Sequence, residues 1–133
     1  MKELSKRLHP INRFTIKRSQ WLRGTDAGWL RNKSRKQCCL GFCARELGFS
    51  ATEIQGLELI STLFESEDQC NNYLKGYNRR LESDLVSVND SPLGNEVHVN
   101  TEWRAYLLKT DAQRERIIKR LFKTIGVKVI FVD

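Results

Sequence analysis

Residues 110–132, TDAQRERIIKRLFKTIGVKVIFV, decide the fold. Thr110 is followed three residues later by Gln113, the spacing of a capping box, in which each side chain closes an open backbone N–H at a helix start. Ile117, Ile118, Leu121, Phe122 and Ile125 then recur as one apolar stripe at helical spacing. Arg114, Lys119, Arg120 and Lys123 fall on the other side or along its edges. Gly126 supplies a helix stop, and residues 127–132 are dense in β-branched and aromatic side chains, so they read as a strand. The strand needs a partner. Residues 14–18 (Phe-Thr-Ile-Lys-Arg) alternate apolar and polar, and pairing them with 127–132 brings both ends of the chain into one sheet.

Working inward from these ends, residues 35–47 suit a buried helix with Leu40, Cys43 and Leu47 on one face, joined by Cys39, and Gly48 as its stop. Ser50 and Glu53 form a second capping box, opening a short helix that stops near Gly56. A further helical turn or two fits residues 58–64. Glu65-Ser66-Glu67-Asp68 opens another helix, which Tyr73, Leu74, Tyr77 and Leu81 continue. Residues 89–95 are turn-rich, and residues 96–100 read as a strand. Residues 2–9 form a short basic helix ending before Pro10. Gly24 and Gly28 punctuate a loop holding Trp21 and Trp29, and Trp29-Leu30 begins a second short strand. There is no repeat, low-complexity tract or Pro/Gly/Ser-rich linker. The expected fold is α+β: a single compact domain over residues 1–133, with a small antiparallel or mixed sheet covered by several helices.

Composition narrows the setting. Of 133 residues, 40% are hydrophobic and 29% charged, as in an ordinary globular protein. No apolar run approaches the ~20 residues that span a bilayer, and the basic N-terminus is not followed by a hydrophobic signal region. A cytoplasmic protein without membrane association is expected. Four cysteines in this length do not read as a disulfide framework, and the adjacent Cys38 and Cys39 would pair only through a strained ring. Reduced, buried thiols are expected. The net charge of +7 is unevenly placed. Residues 1–48 hold twelve Lys and Arg against three Asp and Glu, whereas residues 49–133 hold eleven against thirteen. Such a basic opening third favours anionic partners: nucleic acid, nucleotides or an acidic protein surface. The plainer alternative is a solvated basic face that keeps the protein soluble.

Catalytic and metal signals are weak. Zinc ligands would have to come from Cys38, Cys39, Cys43, Cys70, His9 and His98, but structural zinc prefers paired Cys-x2-Cys half-sites and the spacing here is Cys-Cys-x3-Cys. Core thiols are the better reading, and no metal or cofactor is expected. Cys38 or Cys39, near a helix start and close to Arg35 and Lys36, has a setting that lowers a thiol pKa, but only His9 and His98 are available as a base. No phosphate-binding glycine loop is present. The best constellation is cationic and aromatic. Lys17, Arg18, Trp21, Arg23, Trp29, Arg31, Arg35 and Lys36 are the candidate ligand-binding residues, with Arg13 and Lys33 in the same run. Arginine forks match phosphate oxygens in pairs, and an indole offers a face on which a base stacks for about 1–3 kcal/mol. In this reading Arg18, Arg23, Arg31 and Arg35 neutralise phosphate, Trp21 or Trp29 stacks on the base, and residues 38–43 are the buried support. The competing reading puts both tryptophans in the core and the charges in water.

Trp21-Leu22-Arg23-Gly24, Leu30, Cys38-Cys39-Leu40-Gly41-Phe42, Gly48, Ile54, Gly56, Asn89-Asp90 and the closing Gly126-Val127-Lys128-Val129-Ile130-Phe131-Val132 together resemble small, largely uncharacterised bacteriophage-borne proteins. In those, a Trp-x-x-Gly segment precedes a Cys-Cys-Leu-Gly-Phe core and a helix-strand unit ends the chain. The likeness covers most of the chain and departs at residues 91–110, where extra residues stand. It carries no accepted activity and therefore no catalytic residue. What it implies is a setting: small phage accessory proteins often block host defence by sequestering a nucleotide signal or by occluding a host protein or nucleic-acid site. The resulting expectation is a non-enzymatic protein, in the host cytoplasm, that captures a phosphate-bearing ligand such as a nucleotide immune signal. The alternatives are an inhibitor that binds nucleic acid or a host protein through the basic third, and a small cysteine- or metal-dependent enzyme. A homo-oligomer is compatible with each.

Overall fold

Strand β1 (Arg13–Lys17) lies parallel to β4 (Lys128–Val132), so the two ends of the chain do share a sheet. Phe14 stands opposite Val129 and Ile16 opposite Phe131, and all four are buried. The computed structural model describes residues 7–24 and 29–133. The expected basic helix at 2–9 falls mostly outside them, as does Gly28.

Helix α5 (Asp111–Lys123) packs on this sheet, with Phe14 meeting Phe122 edge to face at 4.9 Å. Ile117, Ile118, Leu121 and Phe122 are buried as the stripe requires, each worth roughly 1.5–3 kcal/mol when fully removed from water. Thr110 caps the helix by accepting from the Gln113 N–H at 3.1 Å. The reciprocal half of the box is displaced by one residue, because the Gln113 amide oxygen accepts from the Lys109 N–H at 2.7 Å.

Helix α1 (Cys39–Leu47) begins four residues later than residues 35–47 would have it. The missing turn is used otherwise. Arg35 adopts a left-handed conformation (φ 67°), and Gln37 bridges Trp21 through backbone bonds. Gly41 lies against the Leu30 carbonyl so closely that a Cβ there would sit 1.9 Å from the oxygen. Glycine is thus the residue that lets the Trp29–Arg31 backbone run across α1. Helix α2 (Ala51–Ile54) carries the full capping box of Ser50 and Glu53, and a 3-10 turn follows at Ile60–Leu63.

The single helix expected from Glu65 through Leu81 is two: α3 (Glu67–Asn71) and α4 (Arg79–Asp90). Asn71 accepts from the Gly76 N–H and Asn78 from the Leu81 N–H, while Gly76 turns left-handed at φ 89°. Asparagine side chains compete with helical backbone bonding, and that local competition outweighs the apolar periodicity. Helix α4 also absorbs the start of the turn expected at 89–95. Strand β2 (Glu96–Val99) forms as expected, but it pairs antiparallel with β3 (Arg104–Leu107), a strand not anticipated. No strand forms at Trp29-Leu30, where only an isolated bridge joins Arg31 to Gln55. The architecture is α+β, with a parallel pair and a separate antiparallel hairpin in place of one antiparallel or mixed sheet. The buried apolar residues form one core cluster, which includes Cys38, Cys39, Cys43 and Cys70. Among the described residues no helix is long and apolar enough to cross a membrane.

Candidate anion-binding site

The eight candidate residues do not converge. Trp21 is 3% exposed, its indole N–H donates to Asn89 Oδ1 at 2.9 Å, and its ring packs 5.0 Å from Phe131. The Arg23 guanidinium lies over the indole at 4.6 Å. Trp21 is therefore a core residue with no face open to a ligand. Arg18 is also committed: Nε and Nη2 hold Glu115 at 2.8 and 2.9 Å, and Nη1 holds Asp133 at 2.9 Å. These carboxylates raise its already high pKa further. Arg23 pairs with Asp111 at 3.1 Å and donates to the Trp21 carbonyl. Burial works against ionisation of Asp111, but Arg23 and Arg114 outweigh it and hold the carboxyl below its ordinary range. Arg18 and Arg23 thus tether the segment after β1 to α5 and the C-terminus. Lys17 ends β1 in solvent. Arg13, from the same strand, lines a different hollow with His9 and Glu46.

The remaining candidates gather on one turn. Trp29, 42% exposed, lines a pocket of about 390 Å³ with Arg31, Asn32, Lys33, Ser34, Gln55 and Gly56. Backbone bonds fix its floor: Leu30 N–H to Leu57 O at 2.6 Å and Gly56 N–H to Arg31 O at 3.1 Å, with the Leu30 side chain fully buried. Arg31 Nη1 donates to Gln55 Oε1 at 3.3 Å. The turn beyond is closed by Asn32, whose carbonyl accepts from the Arg35 N–H at 3.0 Å and whose side chain accepts from the Lys36 N–H at 2.9 Å. This is a three-residue loop with Arg35 in the left-handed position that glycine usually takes, at a cost of about 1–3 kcal/mol. Lys33, Arg35 and Lys36 point into solvent. Among the described residues, ion pairs engage Arg7, Arg18, Arg23, Arg114 and Arg120 but not Arg31, Lys33, Arg35 or Lys36. A larger hollow of about 500 Å³ beside Ser61, Arg79 and Glu82 lacks this character. Its Glu82 carboxylate already accepts from Ser61 N–H, Ser61 Oγ and the Tyr77 hydroxyl.

The cysteines offer no thiolate. Burial pushes Cys38 and Cys70 up to about 12, and Cys39 and Cys43 well above the ordinary thiol value. Proximity in sequence to Arg35, Lys36 and a helix start does not offset the desolvation. Among the described residues no three His, Cys, Asp or Glu side chains gather as metal ligands.

The motifs that stand out in the sequence meet elsewhere, at Asn89. Its side-chain oxygen accepts from Trp21 Nε1 and from the Cys39 N–H, and its amide nitrogen donates to Leu22 O and to Asp90 Oδ1. Its carbonyl accepts from the Gly24 N–H at 2.9 Å. Arg114, 1% exposed, donates from Nη1 to the carbonyls of Val88, Asn89 and Ser91 at 2.7–2.8 Å, closing the C-terminus of α4. Arg114, expected on the other side of α5 from the apolar stripe or along its edges, is instead buried. Its position four residues before Ile118 and seven before Leu121 had put it on the line of the apolar stripe. The Trp-x-x-Gly segment, the Cys-Cys start of α1, the Asn-Asp pair and α5 are one structural clamp. The chain matches no protein-family model, and no curated protein or solved structure matches it.

Proposed function

We propose that this is a non-enzymatic binding protein that captures a phosphate-bearing, nucleotide-type ligand, at a narrower site than the sequence implied. The observation that carries this reading is the half-exposed indole of Trp29, set in a pocket whose neighbouring cations, Arg31, Lys33, Arg35 and Lys36, have no carboxylate partner among the described residues. The pocket volume lies within the roughly 300–1,000 Å³ of small-molecule sites. Trp29 stacks on a base, Arg31 forks onto a phosphate from the pocket wall, and the exposed turn supplies further positive charge. Arg18, Trp21 and Arg23 leave the ligand-binding set and act as structural support. A phage origin and a role against host defence rest on the motif resemblance, and make cyclic and ADP-ribose-type nucleotides the first ligands to try.

Isothermal titration against mononucleotides, dinucleotides, cyclic nucleotides and ADP-ribose tests this. One class is expected to bind, with Trp29→Ala and Arg31→Ala each weakening affinity about tenfold, equivalent to ~1.4 kcal/mol. Arg35→Gly relieves the left-handed strain, so it should hold or raise thermal stability while weakening binding. Absence of heat for every nucleotide overturns the reading.

A further inference from the structure

The most exposed aromatic side chain among the described residues is not near the pocket residues in sequence. Trp103 is 84% exposed and stands at the turn of the β2–β3 hairpin with φ 54° and ψ 37°, a left-handed conformation that a bulky residue rarely adopts. Exposure of an indole and a left-handed backbone both disfavour the fold, and such strain at an exposed site points to use. The turn is nonetheless firmly built. The buried Asp84 carboxylate accepts from the N–H groups of Asn100 and Thr101 at 2.9 and 2.8 Å. Arg80 donates to the Asn100 carbonyl at 3.2 Å and lies over the Trp103 ring at 4.9 Å. One face of the indole is thereby covered by a cation. Tyr106 continues the pattern, with Arg104 and Arg120 over its ring at 5.2 and 5.4 Å. The carboxylates nearby are engaged: Asp84 holds the turn's N–H groups, Glu96 lies 3.3 Å from His98, and Arg120 occupies Glu102 through two bonds at 2.6 and 3.0 Å. Arg80 and Arg104 keep no ion pair among the described residues. Residues 96–133 carry eight Lys and Arg against five Asp and Glu.

We propose that this hairpin is a second site, for single-stranded nucleic acid. Trp103 stacks on an unpaired base, while Arg80 and Arg104, stacked on aromatic rings and without an ion pair among the described residues, contact the flanking phosphates. Two features favour a nucleic-acid strand over an acidic protein. The presented group is a flat ring, and the cations are arginines held against rings. The site shares no residue with the Trp29 pocket, so either can fail alone.

Fluorescence anisotropy of a labelled twelve-nucleotide oligothymidine with the full chain, at 50 mM salt, is the test. Binding is expected, about tenfold weaker in Trp103→Gly, which removes the indole and relieves the left-handed strain, so a folding defect does not explain the loss. Affinity should fall with salt by a log–log slope of about −0.7 per phosphate contacted, and Arg104→Ala should make that slope shallower by about 0.7. Failure to bind, equal affinity in Trp103→Gly, loss of binding in Trp29→Ala instead, or equally tight binding of polyglutamate would each overturn the proposal.

Discussion

Asn89 shows how much can rest on one side chain. It satisfies the buried N–H groups of Trp21 and Cys39 and the buried carbonyl of Leu22, linking α4 to α1 and to the segment after β1. Each buried polar group left unpaired costs about 1–3 kcal/mol. Asn89→Ala is therefore expected to lower unfolding free energy by at least ~3 kcal/mol in urea titration, against less than ~0.5 kcal/mol for Lys36→Ala on the exposed turn. A small effect for Asn89→Ala would mean that water replaces the amide. The same scale separates the two tryptophans of the opening third. Trp21 and Trp29 have equal claims by residue type and neighbouring charge, yet one is 3% and the other 42% exposed. Nothing within a few residues of either distinguishes them, because Trp21 is drawn inward by an acceptor 68 positions away.

At the scale of elements, capping and periodicity carried the helices well and failed where side chains had alternatives. The capping box of Ser50 and Glu53 and the stripe of α5 are local patterns with one way to be satisfied. The break between α3 and α4 and the pairing of β3 were hidden, because asparagine caps outbid a continuing apolar spacing and β3 has little alternation of burial to betray it. The capped helix α2 also ties down the segment before β1. Glu53 holds Arg7 through two bonds at 2.6 and 2.9 Å, and Arg7 lowers its pKa to about 2. The folded pKa lies below the unfolded value, so this pair contributes stability that is present above about pH 4.5 and lost as pH falls toward 2. Urea midpoints measured between pH 6 and 2 should drop more steeply in the parent than in Glu53→Gln. An identical pH profile in the two would show the pair to be inert, as many exposed pairs are.

For the whole molecule, the decisive fact is a core built around four thiols and a few fully satisfied polar groups. No buried side-chain N or O among the described residues lacks a partner. Cys38, Cys39, Cys43 and Cys70 are buried and free, and burial raises all four pKa values. Raised folded pKa values mean stability retained below the ordinary thiol range and lost as pH rises above it. A disulfide reagent such as Ellman's reagent should accordingly leave the native thiols unmodified at pH 8 and react with four per chain in denaturant. Rapid native modification of any one would place that thiol at the surface and reopen cysteine chemistry.

The order of residues alone determined the elements whose signals are local: the α5–β4 unit, the strand at its far end that must pair with it, the capped start of α2, the short turns, and the inward tendency of the cysteine block. It also determined that positive charge crowds the opening third. Only the tertiary structure decided which of those charges are available. Arg18 meets Glu115 and Asp133 from 97 and 115 positions away, and Arg23 meets Asp111. The cations of the Asn32 turn meet no described carboxylate. Backbone preference acts over a few residues, whereas the field at a guanidinium and the exposure of an indole are set by whatever the folded chain brings beside them.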